Sequence, residues 1–270
     1  PLYIEGTRNG KRLRSALEKV ARKKPVIALK GGMTEHGGRA ASSHTGALAG
    51  SPEIWRSLFK QTGVIQVESF DELVDVTSAL LYSPFPSGRG VSIITTSGGF
   101  SVMETDLCAK MGLEVPQFGD ETMRELRKIV PIAGTSIRNP LDAWPIFLYG
   151  AVSDGIKLVA LDENIHSVII HLSEFSGFFK RRWGKEFEDR LREFLNAVVD
   201  ACKYLRDEIK KPVMLCVPFP IYLDEEGRSY QLKAQMTFQN EGFPVYPSID
   251  RAAKVITKLI QYREFREKIG

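Results

Sequence analysis

Short apolar runs alternate with longer amphipathic stretches along almost the whole chain, and this alternation restricts the fold more than any other feature. PVIALK (Pro25–Lys30), VIQVE (Val64–Glu68), VSIITT (Val91–Thr96), SVIIHL (Ser167–Leu172) and PVMLCVPF (Pro212–Phe219) have the length and content of strands. Between them lie segments with apolar residues at helical spacing, such as Leu13, Leu17 and Val20 within Lys11–Lys23. Strand–helix repetition of this kind builds a parallel sheet covered by helices, because parallel neighbours need a long crossover between them.

Punctuation residues place the boundaries. Ser51-Pro52 is a strong helix start, with serine as N-cap and proline at the first helical position. The helix it opens is expected to bury Ile54, Trp55, Leu58 and Phe59 and to stop at Gly63. A helix over Phe70–Leu81 follows, opened by Ser69. SPFPSGRG, Ser83–Gly90, holds two prolines, two glycines and two serines and reads as a linker. Beyond it the alternation restarts, with strands at VSIITT, LEVPQF, SVIIHL, PVMLCVPF and FPVYP, and helices over Asp120–Ile129, Lys185–Ile209, Glu225–Asn240 and from Asp250. The expectation is two α/β domains with doubly wound parallel sheets: residues 1–83, a linker at 84–89, and residues 90–270. The first shows about three strands, too few for a sheet of ordinary size. The chain is therefore expected to be a fragment whose first domain is incomplete.

Composition narrows the class. The chain is 43% hydrophobic and 26% charged, with a net charge of +4 spread over well-mixed acids and bases. That is a globular composition, and no nucleic-acid or membrane partner is expected from it. Three cysteines form no CxxC pair and suit a reducing, cytoplasmic setting. No apolar run approaches the roughly 18 residues of a membrane span. His36 and His44 lack a zinc spacing, so no metal site is expected. His171, inside SVIIHL, reads as a satisfied core histidine. Ser43 has no GxSxG elbow around it, and Lys180-Arg181-Arg182 reads as a solvated patch.

The chemistry concentrates in KGGMTEHGGRAASSHTGALAG, Lys30–Gly50. Its glycines let the backbone approach a ligand closely, and the loop follows a strand, where open parallel sheets place their ligands. His44 stands about two turns before the helix at Ser51. A largely neutral imidazole is a competent nucleophile toward phosphorus, and helix N-terminal amides can neutralise the phosphoryl group it would carry. Taken alone, this loop fits a structural role as well as a catalytic one. A second candidate is TTSGGFSVMETD, Thr95–Asp106, where a strand runs through Ser97-Gly98-Gly99 into a helix and makes an anion nest. Neither a dinucleotide fingerprint nor a P-loop occurs in the chain.

From YIEG (Tyr3–Gly6) through SHTGALAG (Ser43–Gly50) to ESFDEL (Glu68–Leu73), and over roughly Leu2–Tyr262, the sequence resembles the α subunit of ADP-forming acyl-CoA synthetases of the acetate–CoA ligase type, relatives of succinyl-CoA synthetase. The resemblance implies two flavodoxin-like, succinyl-CoA-synthetase-like domains. It implies that His44 is phosphorylated in turnover, that Glu5 orients its imidazole, and that Gly46 and Ala47 stand close to the phosphate. It implies further that Ser97, Gly98 and Gly99 face the phosphohistidine from the second domain, although Thr96-Ser97 departs from the family's Asn-Ala. NPLD, Asn139–Asp142, matches a family stretch and reads as a structural corner. The implied reaction interconverts acyl-CoA, ADP and phosphate with an organic acid, CoA and ATP. CoA and ATP/ADP with Mg²⁺ are then substrates held mainly by parts outside this chain, a CoA-binding domain and an ATP-grasp subunit or domain, in an oligomer. No tightly bound cofactor is expected, and the piece alone is expected to be inactive. The alternative is a non-catalytic ligand-sensing module, like the similar part of protein-lysine acetyltransferases. The acyl group and the choice between ADP and GDP stay open.

Overall fold

The computed structural model describes residues 1–45, 50–95, 98–130, 135–142, 150–172, 180–181, 183–218 and 225–269, with the side chains of Ser42, His44, Thr45 and Glu226 outside that description. Two compact units are present, Pro1–Leu81 together with Lys258–Gly270, and Tyr82–Thr257. The stretch from Lys258 onward, expected in the second domain, thus clusters with the first.

In the first unit β1 (Leu2–Ile4), β2 (Ile27–Lys30) and β3 (Ile65–Val67) form a parallel sheet in the order β1-β2-β3. Helix α1 (Gly10–Ala21) starts on Asn9, whose side chain accepts from the Arg12 amide at 2.9 Å. Helix α2 spans Glu35–Thr45, α3 spans Pro52–Thr62 and α4 spans Phe70–Tyr82. Helix α3 begins and ends where its sequence requires. Ser51 accepts from the Ile54 amide, and Gly63 closes the helix in the left-handed region at φ 72°. Trp55 and Phe59 join Leu17, Ala21, Val26, Ala28 and Val64 in the core. Ile54 does not: it is 69% exposed, because its neighbour Trp55 takes the inward position and adjacent helix residues point about 100° apart. The last helix, from Ile249 to Ile269, closes the unit with its C-terminal turns. Tyr262 donates its hydroxyl to Ala21 O (3.1 Å), and the Lys258 ammonium donates to Gln66 O (2.7 Å). A Cβ at Gly63 would sit 1.9 Å from the Phe265 ring, so only glycine fits that turn.

The second unit is built on β4 (Val91–Thr95), β5 (Leu141–Asp142), β6 (Ser167–His171), β7 (Val213–Cys216) and β8 (Val245–Tyr246), all parallel, in the order β5-β4-β6-β7-β8. Counted within the unit this is 2-1-3-4-5, the flavodoxin-like order. Helices α5 (Gly98–Lys110), α6 (Asp120–Ile129), α7 (Val152–Leu161), α8 (Phe187–Lys203), α9 (Glu225–Asn240) and the first half of α10 (Ile249–Ile269) cover it. Leu126, Ile156, Val159, Leu191, Val198 and Phe238 from α6 to α9 pack on Ile94, Ile170 and Leu215 of the strands.

LEVPQF is not a strand. It contributes one bridge, in which Val91 N donates to Glu114 O (2.8 Å) and Glu114 N to Arg89 O (3.0 Å). Pro116 lacks the amide that would continue the ladder. The Asn139 side chain continues it instead: its Oδ1 accepts from Ile93 N (3.1 Å), and its Nδ2 donates to Val91 O and Pro116 O, both at 2.8 Å. Backbone pairing then resumes with Leu141 and Asp142. NPLD is a corner in which a side-chain amide stands in for a peptide group. The SPFPSGRG stretch is likewise packed rather than free: Ser87 Oγ lies 2.9 Å from His166 Nδ1, and a Cβ at Gly90 would fall 2.0 Å from Asn164 O.

Two consequences can be measured. Asn139→Ala leaves one amide and two carbonyls unpaired in a site that is 3% exposed, and denaturant unfolding should show a loss of about 3 kcal/mol. Asp162 accepts from Gly119 N (2.7 Å) and Asn164 N (3.0 Å). Burial alone would raise its pKa, but these amides, with the Thr122 and Asn164 side chains, hold the carboxyl below its usual range. A depressed folded value stabilises above the unfolded value of about 3.9 and is lost as the pH falls through the folded one. The stability gap between wild type and Asp162→Asn should therefore be level above about pH 5 and shrink below about pH 4, as read by urea unfolding across that range.

Candidate functional site

The ends of β1 and β2 meet in a cluster that sequence reading had only half identified. Glu5 follows β1 directly, and its carboxylate accepts from the Tyr3 hydroxyl at 2.9 Å. That contact raises the Tyr3 pKa, since ionising the phenol beside a carboxylate is unfavourable. Lys30, the last residue of β2, is 4% exposed. Its ammonium donates to Glu5 O (2.8 Å) and to Gly31 O, and lies 5.0 Å from the centroid of the Trp55 ring. Burial lowers its pKa while the Glu5 charge opposes that shift. A buried cation thus ties the two strand ends together beneath the Gly31-Gly32 turn. Gly31 has to be bare, because a Cβ there would come within 2.9 Å of the Tyr3 hydroxyl oxygen. Nothing in the pattern PVIALK marked Lys30, since a lysine at a strand end is ordinarily solvated.

The glycine-rich stretch holds a helix where a loop was expected. Thr34 Oγ1 accepts from Gly37 N (3.1 Å) and Thr34 O from Gly38 N (2.7 Å), which starts α2 despite its two glycines. A Cβ at Gly37 would fall 3.3 Å from Gly32 Cα, so the pair of glycines lets the helix begin against the turn. His44 lies in the last turn of α2, with its side chain outside the described residues, as are Gly46 and Ala47 entirely. His36 sits in the first turn of α2 beside Arg39, well exposed.

Helix α3 offers few amides to an anion. Pro52 has none, Glu53 turns its carboxylate onto its own N–H, and Ile54 N donates to Ser51 Oγ. Those contacts, with the Ser51 hydroxyl foremost, lower the Glu53 pKa. The start of α5 differs: Gly98, Gly99 and Phe100 open it with no acid in the first turn, and all three are exposed. Ser97 lies outside the described residues. Gly98 abuts the Asp142 carboxylate, whose Oδ2 is 2.9 Å from where its Cβ would be. Among the described residues Asp142 Oδ1 is buried without a hydrogen-bond partner, and burial raises the pKa of that carboxyl.

Across the sheet, the strand ends form one polar row. Asp142 pairs with Thr95, His171 with Cys216, and Cys216 with Tyr246, while His171 follows the Ile94–Ile170 pair. Strand order reverses between β4 and β6, and in open α/β sheets the ligand crevice lies outside the C-terminal ends at such a point. Gly98 and His171 flank it. His171 is a satisfied core histidine, 6% exposed, with Glu104 of α5 on its Nδ1. Among the described residues no cluster of metal-ligating side chains occurs, and no helix is long and apolar enough to cross a membrane.

A flavodoxin-like α/β chain with a glycine-opened helix at its switch point is thereby defined. Residues 1–80 match the model of the succinyl-CoA ligase like flavodoxin domain. Over its length the chain is similar to ADP-forming acetate–CoA ligases. It is 37% identical over 172 residues to ADP-forming acetate–CoA ligase I of Archaeoglobus fulgidus, covering 64% of this chain and 25% of that one. It is 29% identical over 268 residues to the α subunit of ADP-forming acetate–CoA ligase I of Pyrococcus furiosus, covering 99% and 53%. The fold matches the acetyl-coenzyme A synthetase 1 of Ca. Korarchaeum cryptofilum, described as dinucleotide forming and solved with phosphate and ADP, at a TM-score of 0.75 and 25% identity, covering 98% and 53%. The chain thus spans a quarter to about half the length of these relatives.

Removing the buried cation tests the strand-end cluster. Lys30→Met keeps the stem on Trp55 but leaves Glu5 O and Gly31 O without their donor, and thermal unfolding should show a loss of about 2 kcal/mol.

Proposed function

We propose that this chain is the histidine-bearing α portion of an ADP-forming acyl-CoA synthetase, and that His44 carries the phosphoryl group. Phosphate attacks the thioester carbonyl, CoA leaves as the thiolate, and an acyl phosphate results. The imidazole Nε2 of His44 attacks phosphorus and releases the organic acid as its carboxylate. A terminal oxygen of ADP then takes the phosphoryl group, giving ATP and restoring the neutral ring. Glu5, held at the end of β1 by Tyr3 and Lys30, would accept from Nδ1 and leave Nε2 free to attack. Gly46 and Ala47, which follow His44 in the sequence, would bind phosphate, as would Ser97, Gly98 and Gly99 in their own unit. Amides held in place before the reaction stabilise a dianion without reorganisation.

The observation that carries this reading is the likeness of 99% of this chain to 53% of an ADP-forming acetate–CoA ligase α subunit. Phosphate and ADP in the Korarchaeum structure agree with it. Ligase activity in the relatives favours this reading over a ligand-sensing module. CoA, ADP and Mg²⁺ would bind mainly on a CoA-binding domain and an ATP-grasp subunit or domain, in a cytoplasmic oligomer, and this chain alone would be inactive. The two domains would be a succinyl-CoA-synthetase α-like half carrying the phosphohistidine, Pro1–Leu81 with Lys258–Gly270, and a second flavodoxin-type domain, Tyr82–Thr257.

Incubating the complete enzyme with acyl-CoA and labelled phosphate should give acid-labile, base-stable protein label. His44→Ala should abolish it and His36→Ala should keep it; label surviving in His44→Ala would refute the assignment.

A further inference from the structure

Helix α5 is attached to its sheet by an uncommon set of side chains. Its inward positions are Ser101, Glu104 and Cys108, all buried, whereas Val102 and Met103 face outward at 67% and 68% exposure. Apolar burial therefore does little to fix the first two turns. The tie there is polar: His171 Nδ1 is hydrogen-bonded to Glu104 Oε1, and both side chains are more than nine-tenths buried. Phe100, in the first turn, stands edge-on to the imidazole with ring centroids 5.3 Å apart. Among the described residues Glu104 Oε2 is buried without a hydrogen-bond partner, and His171 anchors this carboxylate's other oxygen.

We infer that Glu104 and His171 are positioning residues: their bond fixes the rotation and axial register of α5, and with it the aim of the Gly98 and Gly99 amides at the β4–β6 switch point. The inference rests on reading that helix start as a phosphate site. Apolar contacts on an ill-defined face tolerate sliding, whereas a hydrogen bond is directional, and fixing register is the best-attested use of a buried polar pair. Six residues separate Glu104 from Gly98, a rise of about 9 Å, and a helix this short transmits rotation without loss. A slip of one residue would turn the amides by about 100°. Misplacement by about 1 Å already costs up to about 100-fold in a reacting site. Gly98, bare against Asp142, lets the same turn seat on β5 while Phe100 and Glu104 seat on β6. The helix start is thus held from both sides of the crevice.

The test is a titration of this chain with inorganic phosphate, followed at the Gly98 and Gly99 amide resonances. Glu104→Ala should raise the dissociation constant about tenfold, since the amides lose their aim. Glu104→Gln, which still accepts from Nδ1–H, should stay within about twofold of wild type. The double variant Glu104→Leu/His171→Leu should melt close to wild type, because apolar replacement of a buried pair is often neutral, yet bind as weakly as Glu104→Ala. Val198→Ala, in the core on the opposite face, should lower the melting temperature and leave the midpoint unchanged. Equal midpoints in wild type, Glu104→Ala and the double variant would overturn the inference. Phosphate that shifts neither glycine in wild type would overturn the anion-site reading and the inference with it, whereas His44 labelling stands or falls independently.

Discussion

A strand paired on both sides must find a partner for every amide and carbonyl along its length, and β4 is where this requirement governs the second unit. Its β6 side is met by ordinary parallel pairing. Its other side is met in relay, by the Glu114 backbone, then the Asn139 side chain, then Leu141 and Asp142. The relay places Asp142 at the strand end, beside the glycine that opens α5. The polar row at the C-terminal rim follows from this register, and the switch point between β4 and β6 makes the rim a crevice.

Most elements could be read from local chemistry. Ser51-Pro52 and Gly63 bounded α3 because cap and left-handed stop act within four residues. Asp120–Ile129 and Glu225–Asn240 were likewise visible from periodicity. Reading failed where a distant group decided. LEVPQF has strand composition, but Asn139, far along the chain, takes over its pairing. The helix α2 was hidden by its own glycines, although Thr34 supplies a cap that outweighs their propensity. Helix α5 was legible as a helix but not as one with its polar side inward.

The candidate site divides along the same line. Glu5 at a strand end and Gly98-Gly99 at a helix start follow from sequence order and sit where expected. Lys30 was not legible, because its importance comes from Trp55 beneath it and from two carbonyls of separate strands. Glu104 and His171 each looked unremarkable in its own segment. Only the crossing of α5 over β6 makes them a pair. The two helix starts also differ in a way composition hides: α3 satisfies its own amides, while α5 carries no acid in its first turn.

The last turns of α10 carry a consequence for biogenesis. Lys258 and Tyr262 are bonded to Gln66 and Ala21, and Phe265 fills the space over Gly63, so the first unit takes contacts from residues synthesised long after its strands. On the ribosome those contacts can form only after the residues of the second unit have been synthesised. A nascent chain halted before Lys258 would lack all three contacts, a species that chaperones and proteases could tell from the mature fold.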